Sequence, residues 1–153
     1  MSCGTAITQV IMAMLGSVGF GILFNLRGRR LMLAGLGGML SWIIYLIFYR
    51  IIGHEVASYG LATVLTTLYS QAMARVVKSP ATLFLVPSVV PMLPGGYLYY
   101  SMLYAVSGDW DNFLAEGVLT LSTAAAIAVG MMVGSSLYAT LLALKRALMR
   151  ENI

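Results

Sequence analysis

Uncharged apolar runs separated by short polar breaks divide the chain into five segments. Each is long enough to cross a bilayer, whose hydrocarbon core of about 30 Å takes roughly 20 helical residues. The first run covers about residues 5–24 and closes at Arg27, Gly28, Arg29 and Arg30. The second covers about 31–49 and ends at Arg50, with Gly53, His54 and Glu55 as the break before a third run at about 56–74. Arg75, Lys78 and Ser79 then precede Pro80. Proline at a first helical position gives up no needed donor, so the fourth run starts at 80 and continues to about 104. Ser107 to Asn112 read as an acidic loop, and a long last run at about 118–144 ends in Lys145, Arg146 and Arg150. The pattern predicts an all-α, polytopic transmembrane helical bundle of about five spans, one transmembrane domain over 1–153.

Charge gives this bundle a direction. The breaks after the first and third runs, together with the C-terminal end, carry eight of the nine Lys and Arg, leaving Arg50 alone on the other side. By the positive-inside rule the N-terminus is outside and the C-terminus inside. Glu55, Asp109, Asp111 and Glu116 fall on the outer side and Glu151 on the inner. The same rule accounts for the net charge of +4, so no nucleic-acid partner is implied. With 60% hydrophobic and 9% charged residues and a mean hydropathy of +0.91, the solvent is lipid and no soluble domain fits. Cys3 is the single cysteine and makes no internal disulfide. No basic residue precedes the first run, which therefore reads as a retained span rather than a cleaved leader.

All four prolines fall in one window of 15 residues, Pro80, Pro87, Pro91 and Pro94, and Gly95 and Gly96 follow the last. Each interior proline lacks an N–H and clashes with the carbonyl four residues earlier, so an unbroken helix would strand the carbonyls of Leu83, Pro87 and Val90. Unpaired backbone groups in hydrocarbon cost several kcal/mol, so such a segment must pack inside protein or line a wet cavity. Secondary transporters use discontinuous helices in this way to bind carboxylates and cations near the midplane. The candidate substrate-binding residues are accordingly Pro87, Ser88, Pro91, Pro94, Gly95, Gly96 and Tyr97.

The run Lys78-Ser79-Pro80-Ala81-Thr82, continued by Phe84-Leu85-Val86-Pro87-Ser88-Val89-Val90-Pro91-Met92-Leu93-Pro94-Gly95-Gly96-Tyr97, resembles the signature of the threonine/serine exporter family. Gly19-Phe20-Gly21 to Asn25 and the arginines after them are similar too, so the likeness covers most of the chain. It departs at Ser88, where a glycine is expected soon after Pro87. The resemblance implies an all-helical secondary exporter of threonine and serine in the bacterial inner membrane, without cofactors. It further implies the type in which this part is the C-terminal half of a fused protein or a small subunit beside a larger membrane subunit. Dicarboxylate export, such as that of succinate, is the alternative it leaves open. An outward N-terminus fits a preceding half of odd span number in inverted orientation.

Polar residues at membrane depth are few. Every Asp and Glu falls in a loop or at a span end, so any proton coupling is expected to run through a carboxylate on the partner. Gln71 and Arg75, with Thr66, Thr67 and Ser70 nearby, are placed to line a cavity and meet a substrate carboxylate, though ordinary interhelical bonding and a snorkelling arginine are the favoured explanation. Tyr97, Tyr99, Tyr100 and Tyr104, like Trp110, suit an interfacial belt. Asp109 and Asp111 are too exposed for a metal site, and His54 reads as solvated. Ser122, Ala126, Gly130 and Gly134, and likewise Ala13, Ser17 and Gly21, recur every four residues and allow close helix approach to a neighbouring span or a partner. An intramembrane enzyme lacks its parts: there is no HExxH, no GxSxG and no paired carboxylates. A non-transporting scaffold would leave the clustered prolines unexplained.

Overall fold

The chain turns where its polar breaks lie. The computed structural model describes residues 3–151. It contains helices α1 (Cys3–Leu23), α2 (Arg29–Ile52), α3 (Glu55–Val77), α4 (Thr82–Val89), a 3-10 turn (Val90–Met92), α5 (Gly95–Ser107) and α6 (Trp110–Glu151), and no strand among the described residues. Residues 1–2 and 152–153, including the C-terminus that the charge pattern places inside, lie outside the described residues. Helix α2 stops at Gly53, whose φ of 71° lets its N–H turn back to the Tyr49 carbonyl at 3.1 Å. Helix α3 stops at Lys78, also left-handed, with the Ser79 N–H on the Ala74 carbonyl at 2.9 Å.

Three helices are long and apolar enough to cross a membrane: α1, α2 and α6. The pair Thr82–Met92 and Gly95–Ser107 passes together as a fourth, bent by 53°. Helix α3 has 23 residues, ample length, but its composition is too polar for the same test. Packing supplies the reason. Helix α3 lies between α2, α4 and α6, and Ser58, Thr63, Thr66, Thr67 and Ser70 are buried inside the bundle rather than turned to lipid. The hydroxyls of Thr63, Thr66 and Thr67 donate to the carbonyls of Tyr59, Ala62 and Thr63, at 2.7, 2.8 and 2.8 Å. A hydroxyl returned to its own helix adds no unpaired polar group, which makes these residues tolerable at depth.

Helix ends differ from the sequence reading by a few residues at α2 and α3 and by more at α6, which runs on to Glu151 rather than about 144. Helix α4 starts at Thr82, after Pro80. Helix α6 starts at Trp110 rather than about 118, because Asp109 caps it: its carboxylate accepts from the Asn112 backbone N–H at 3.3 Å and side-chain amide at 2.7 Å. The loop expected over 107–112 shrinks to a turn at Gly108, where φ is 75°. Glu116, expected between that loop and the start of the last run, lies inside α6. With 42 residues, α6 is about 63 Å long at the usual helical rise, about twice the hydrocarbon thickness, so it extends past the membrane at one end or both.

Small residues hold the bundle together within this one chain. A Cβ on Gly130 would fall 2.5 Å from the Gly60 carbonyl oxygen, and one on Gly134 2.8 Å from that of Val64, so α6 and α3 touch backbone to backbone. The stripe Ala126, Gly130, Gly134 thus faces α3. Ser17 and Gly21 face α2, where Ser17 meets Gly38 and Gly21 meets Leu31. The opposite faces are apolar and exposed, as with Ile7, Ile11, Met32, Ile47, Leu121 and Met132, which suits contact with lipid. Helix α4 inserts its buried Phe84 and Val89 against α1, α2 and α3, whereas α5 packs chiefly on α6.

Candidate functional site

The break in the fourth apolar run is built residue by residue from its prolines. Pro87 lies inside α4, Pro91 is the middle residue of the 3-10 turn, and Pro94 precedes the first residue of α5. Between them Leu93 is extended, with φ −63° and ψ 136°, which ends the helix. The Val90 carbonyl, which an unbroken helix would leave facing a missing donor, is taken by the Leu93 N–H at 3.1 Å. The Leu93 carbonyl in turn accepts from Gly95 at 2.7 Å. The chain therefore meets part of the demand for partners by breaking.

The expected site residues separate into five environments. Pro87 and Ser88 are buried where α4 meets α2; Ser88 Oγ stands 2.0 Å from the position of a Cβ on Gly37, with the Tyr69 ring 3.0 Å from the same point. Tyr69 donates to the Leu33 carbonyl at 2.9 Å, and the hydroxyl of Ser88 is buried without a partner. Pro91 lines a cavity of about 280 Å³ with Gln9, Met12, Ala13, Gly16 and Trp42. Gln9 accepts from Trp42 Nε1 at 3.4 Å on its wall. Pro94 is partly exposed, and Gly95 and Gly96 are exposed with no atom within 4 Å of a built Cβ, so the glycine pair serves no close contact here.

Tyr97 is the member whose position differs most from expectation. Rather than standing free in an interfacial belt, its phenol donates to Glu55 Oε1, and Tyr45 reaches the same oxygen at 3.5 Å. The Tyr45 ring stacks on Tyr59 with centroids 4.3 Å apart. Glu55 does open α3 as its first residue, yet its carboxylate is bound by α2 and α5 together. Glu116 Oε2 is buried without a partner and lies within electrostatic range of Tyr97. Carboxylates supplied by the bundle itself were therefore missed from sequence: nothing local links Glu55 to a tyrosine 42 positions later. Tyr99 and Tyr100 remain exposed, as a belt requires.

Gln71 and Arg75 do not join the break. They line a separate cavity of about 290 Å³ with Ser135, Tyr138, Ala139, Leu142 and Ala143 of α6. The Arg75 guanidinium sits over the Tyr138 ring, 5.6 Å from its centroid, a cation–π contact that accounts for an exposed arginine without a ligand. Among the described residues no group of three or more His, Cys, Asp or Glu could hold a metal ion.

No curated protein and no solved structure matches the chain. It does match the family described as Threonine/Serine exporter, ThrE, over residues 9–137, which takes in Gln9, the whole proline break, Glu55, Glu116 and the α3–α6 seam. This is a family of membrane transporters rather than of enzymes. A match over so much of the length, on a helical bundle with a broken apolar run at its centre, shows that the chain belongs to the threonine/serine exporter family.

Proposed function

We propose that this chain is one subunit of a bacterial inner-membrane secondary exporter for threonine- and serine-like amino acids, acting beside a larger membrane subunit of the same family. The observation that carries the reading is the broken run: Pro91 borders a cavity shared with α1 and α2, and a buried, unpartnered Ser88 hydroxyl lies one turn away. Broken helices of this kind support alternating access, in which one part of a bundle rocks or gates around a fixed site. The proposal places five spans in the membrane, α3 among them as the shielded central one, with the N-terminus periplasmic and the C-terminus cytoplasmic. On that arrangement the partner completes the bundle and the substrate path.

Efflux of labelled threonine and of labelled succinate from cells lacking their own exporters tests this reading. The chain is expressed alone, then with a candidate large subunit, and the assembled complex is verified in the membrane. Threonine efflux above the empty-vector rate only with both chains is the expected result. Efflux of neither solute from a verified complex sinks the proposal, and efflux of succinate alone assigns a dicarboxylate substrate instead.

A further inference from the structure

Glu55 joins three helices through one carboxylate. Its Oε1 accepts from Tyr97 in the first turn of α5 and is approached by Tyr45 of α2, while Glu55 itself begins α3. Helix α5 follows the break, is bent by 53° from α4, and otherwise packs chiefly on α6. The Tyr97–Glu55 bond therefore ties the α5 side of the proline break to the α2–α3 end of the bundle. We propose that this bond is a proton-operated latch, with Glu55 as the residue through which protons act on transport. The inference rests on the transporter reading above, and it moves the coupling carboxylate expected on a partner onto this chain.

The chemistry follows from what a carboxyl group can donate and accept. Ionised, Glu55 is acceptor only, and a phenol O–H on a carboxylate is a charge-assisted bond, roughly twice as strong as a neutral one. Taking up a proton forms one O–H bond on Glu55 and removes the charge; the Tyr97 bond weakens and α5 is freed to swing about Leu93 and Pro94. Losing that proton to solvent restores the latch, and no other covalent bond changes. The surroundings suit such a switch. The hydrogen-bond partners of the carboxylate are the phenols of Tyr45 and Tyr97. The titratable groups that interact with it are Tyr45 on α2, Tyr59 on α3 and Tyr97 on α5, with Glu116 of α6 near Tyr97; His54 precedes it as the N-cap of α3, and Arg50 lies in the last turn of α2. Glu116 supplies a second buried carboxylate oxygen without a donor of its own, near the same phenol.

Two measurements on the full chain, assembled with its partner where one is required, decide the matter. In proteoliposomes, threonine counterflow by the wild type is expected to rise on the order of tenfold across about two pH units on acidification, as titration of one group allows. Glu55→Gln, which keeps the shape but cannot ionise, should retain counterflow at the fast, low-pH rate and lose the pH response. An unchanged pH profile in Glu55→Gln overturns the proposal, as does loss of counterflow at every pH from a correctly inserted protein. The second measurement needs no substrate. Spin labels at Ala57 and Leu98, placed by cysteine substitution in a Cys3→Ser background, should move apart on acidification in the wild type. In Glu55→Gln they should stay apart at all pH values. A distance that ignores pH in the wild type overturns the latch, even where transport is normal. A responsive distance supports it even where threonine proves the wrong solute.

Discussion

Ser17 Oγ stands 1.7 Å from where a Cβ on Gly38 would sit, so α1 and α2 cross at a point where only a hydrogen fits. Ser17 Cβ at 2.5 Å and the Ala13 carbonyl oxygen at 3.2 Å close the remaining sides. Both the serine and the glycine are buried, so an added methyl group at Gly38 has no open space to enter.

Gly38→Ala is therefore expected to destabilise the protein by about 1–3 kcal/mol, the usual range for overpacking a filled interior. Ser17→Gly in the same chain should recover most of that loss, because it empties the volume the new methyl group needs. Thermal unfolding in detergent, followed by circular dichroism, reads both. A double variant no more stable than Gly38→Ala would mean that the crossing is not where the strain arises.

The α3–α6 seam makes a sharper contrast between glycines. At Gly130 an added Cβ meets the Gly60 carbonyl oxygen at 2.5 Å and Thr63 Cβ at 2.9 Å, and backbone cannot step aside. At Gly19 of α1 nothing lies within 4 Å. Gly130→Ala should lower the unfolding temperature clearly. Gly19→Ala should be neutral or stabilising by up to about 1 kcal/mol, the helix preference of alanine over glycine. Equal effects at the two positions would contradict the seam.

How much of this arrangement was legible in the sequence depends on the range of the interaction responsible. The helices and most of their ends follow from local causes, namely apolar run length, left-handed residues such as Gly53 and the proline cluster, and these read directly. The α6 start was missed although its signal was local: Asp109 followed by Asn112 is a capping pattern, hidden because the segment also reads as an acidic loop. Helix α3 reads as a span from the apolar run between its polar breaks, yet its threonines leave it too polar to pass on composition alone; the surrounding helices show why it holds them. The candidate site was half legible. The break itself is a property of Pro91, Leu93 and Pro94. The partners around it depend on tertiary contact between distant segments: Ser88 on Gly37, Pro91 beside Gln9, and Tyr97 on Glu55. Gln71 and Arg75, read from their polarity as cavity-lining residues, border a cavity against α6 that stands apart from the break.

The break can be tested by mending it. Replacing both Pro91 and Pro94 with alanine restores two N–H donors, so the Val90 carbonyl could accept from position 94 instead of Leu93 and α4 could run on into α5. Spin labels at Thr82 and Ser107, both exposed, should then lie farther apart than across the present 53° bend. Export should fall to background while the protein still inserts and assembles. Retained export in a demonstrably straightened protein would return the segment to the role of a scaffold.

Ser88 and Thr66 separate a polar group held for function from one already accommodated. The Thr66 hydroxyl donates to the Ala62 carbonyl at 2.8 Å inside its own helix, so Thr66→Val removes a bond the helix does not depend on and should shift stability by less than about 1 kcal/mol, with export unchanged. The Ser88 hydroxyl is fully buried without a partner, a state that costs about 1–3 kcal/mol. Ser88→Ala relieves that cost, so the protein should be as stable as the wild type or more so. If the hydroxyl is kept because substrate or its water meets it in the open break, the same change should raise the KM for export several-fold, with little effect on the amount of protein in the membrane. Stability and apparent affinity thus move in opposite directions at this one position. A Ser88→Ala protein that is more stable and exports with an unaltered KM would remove Ser88 from the substrate path and leave the cavity beside Pro91 as the remaining candidate.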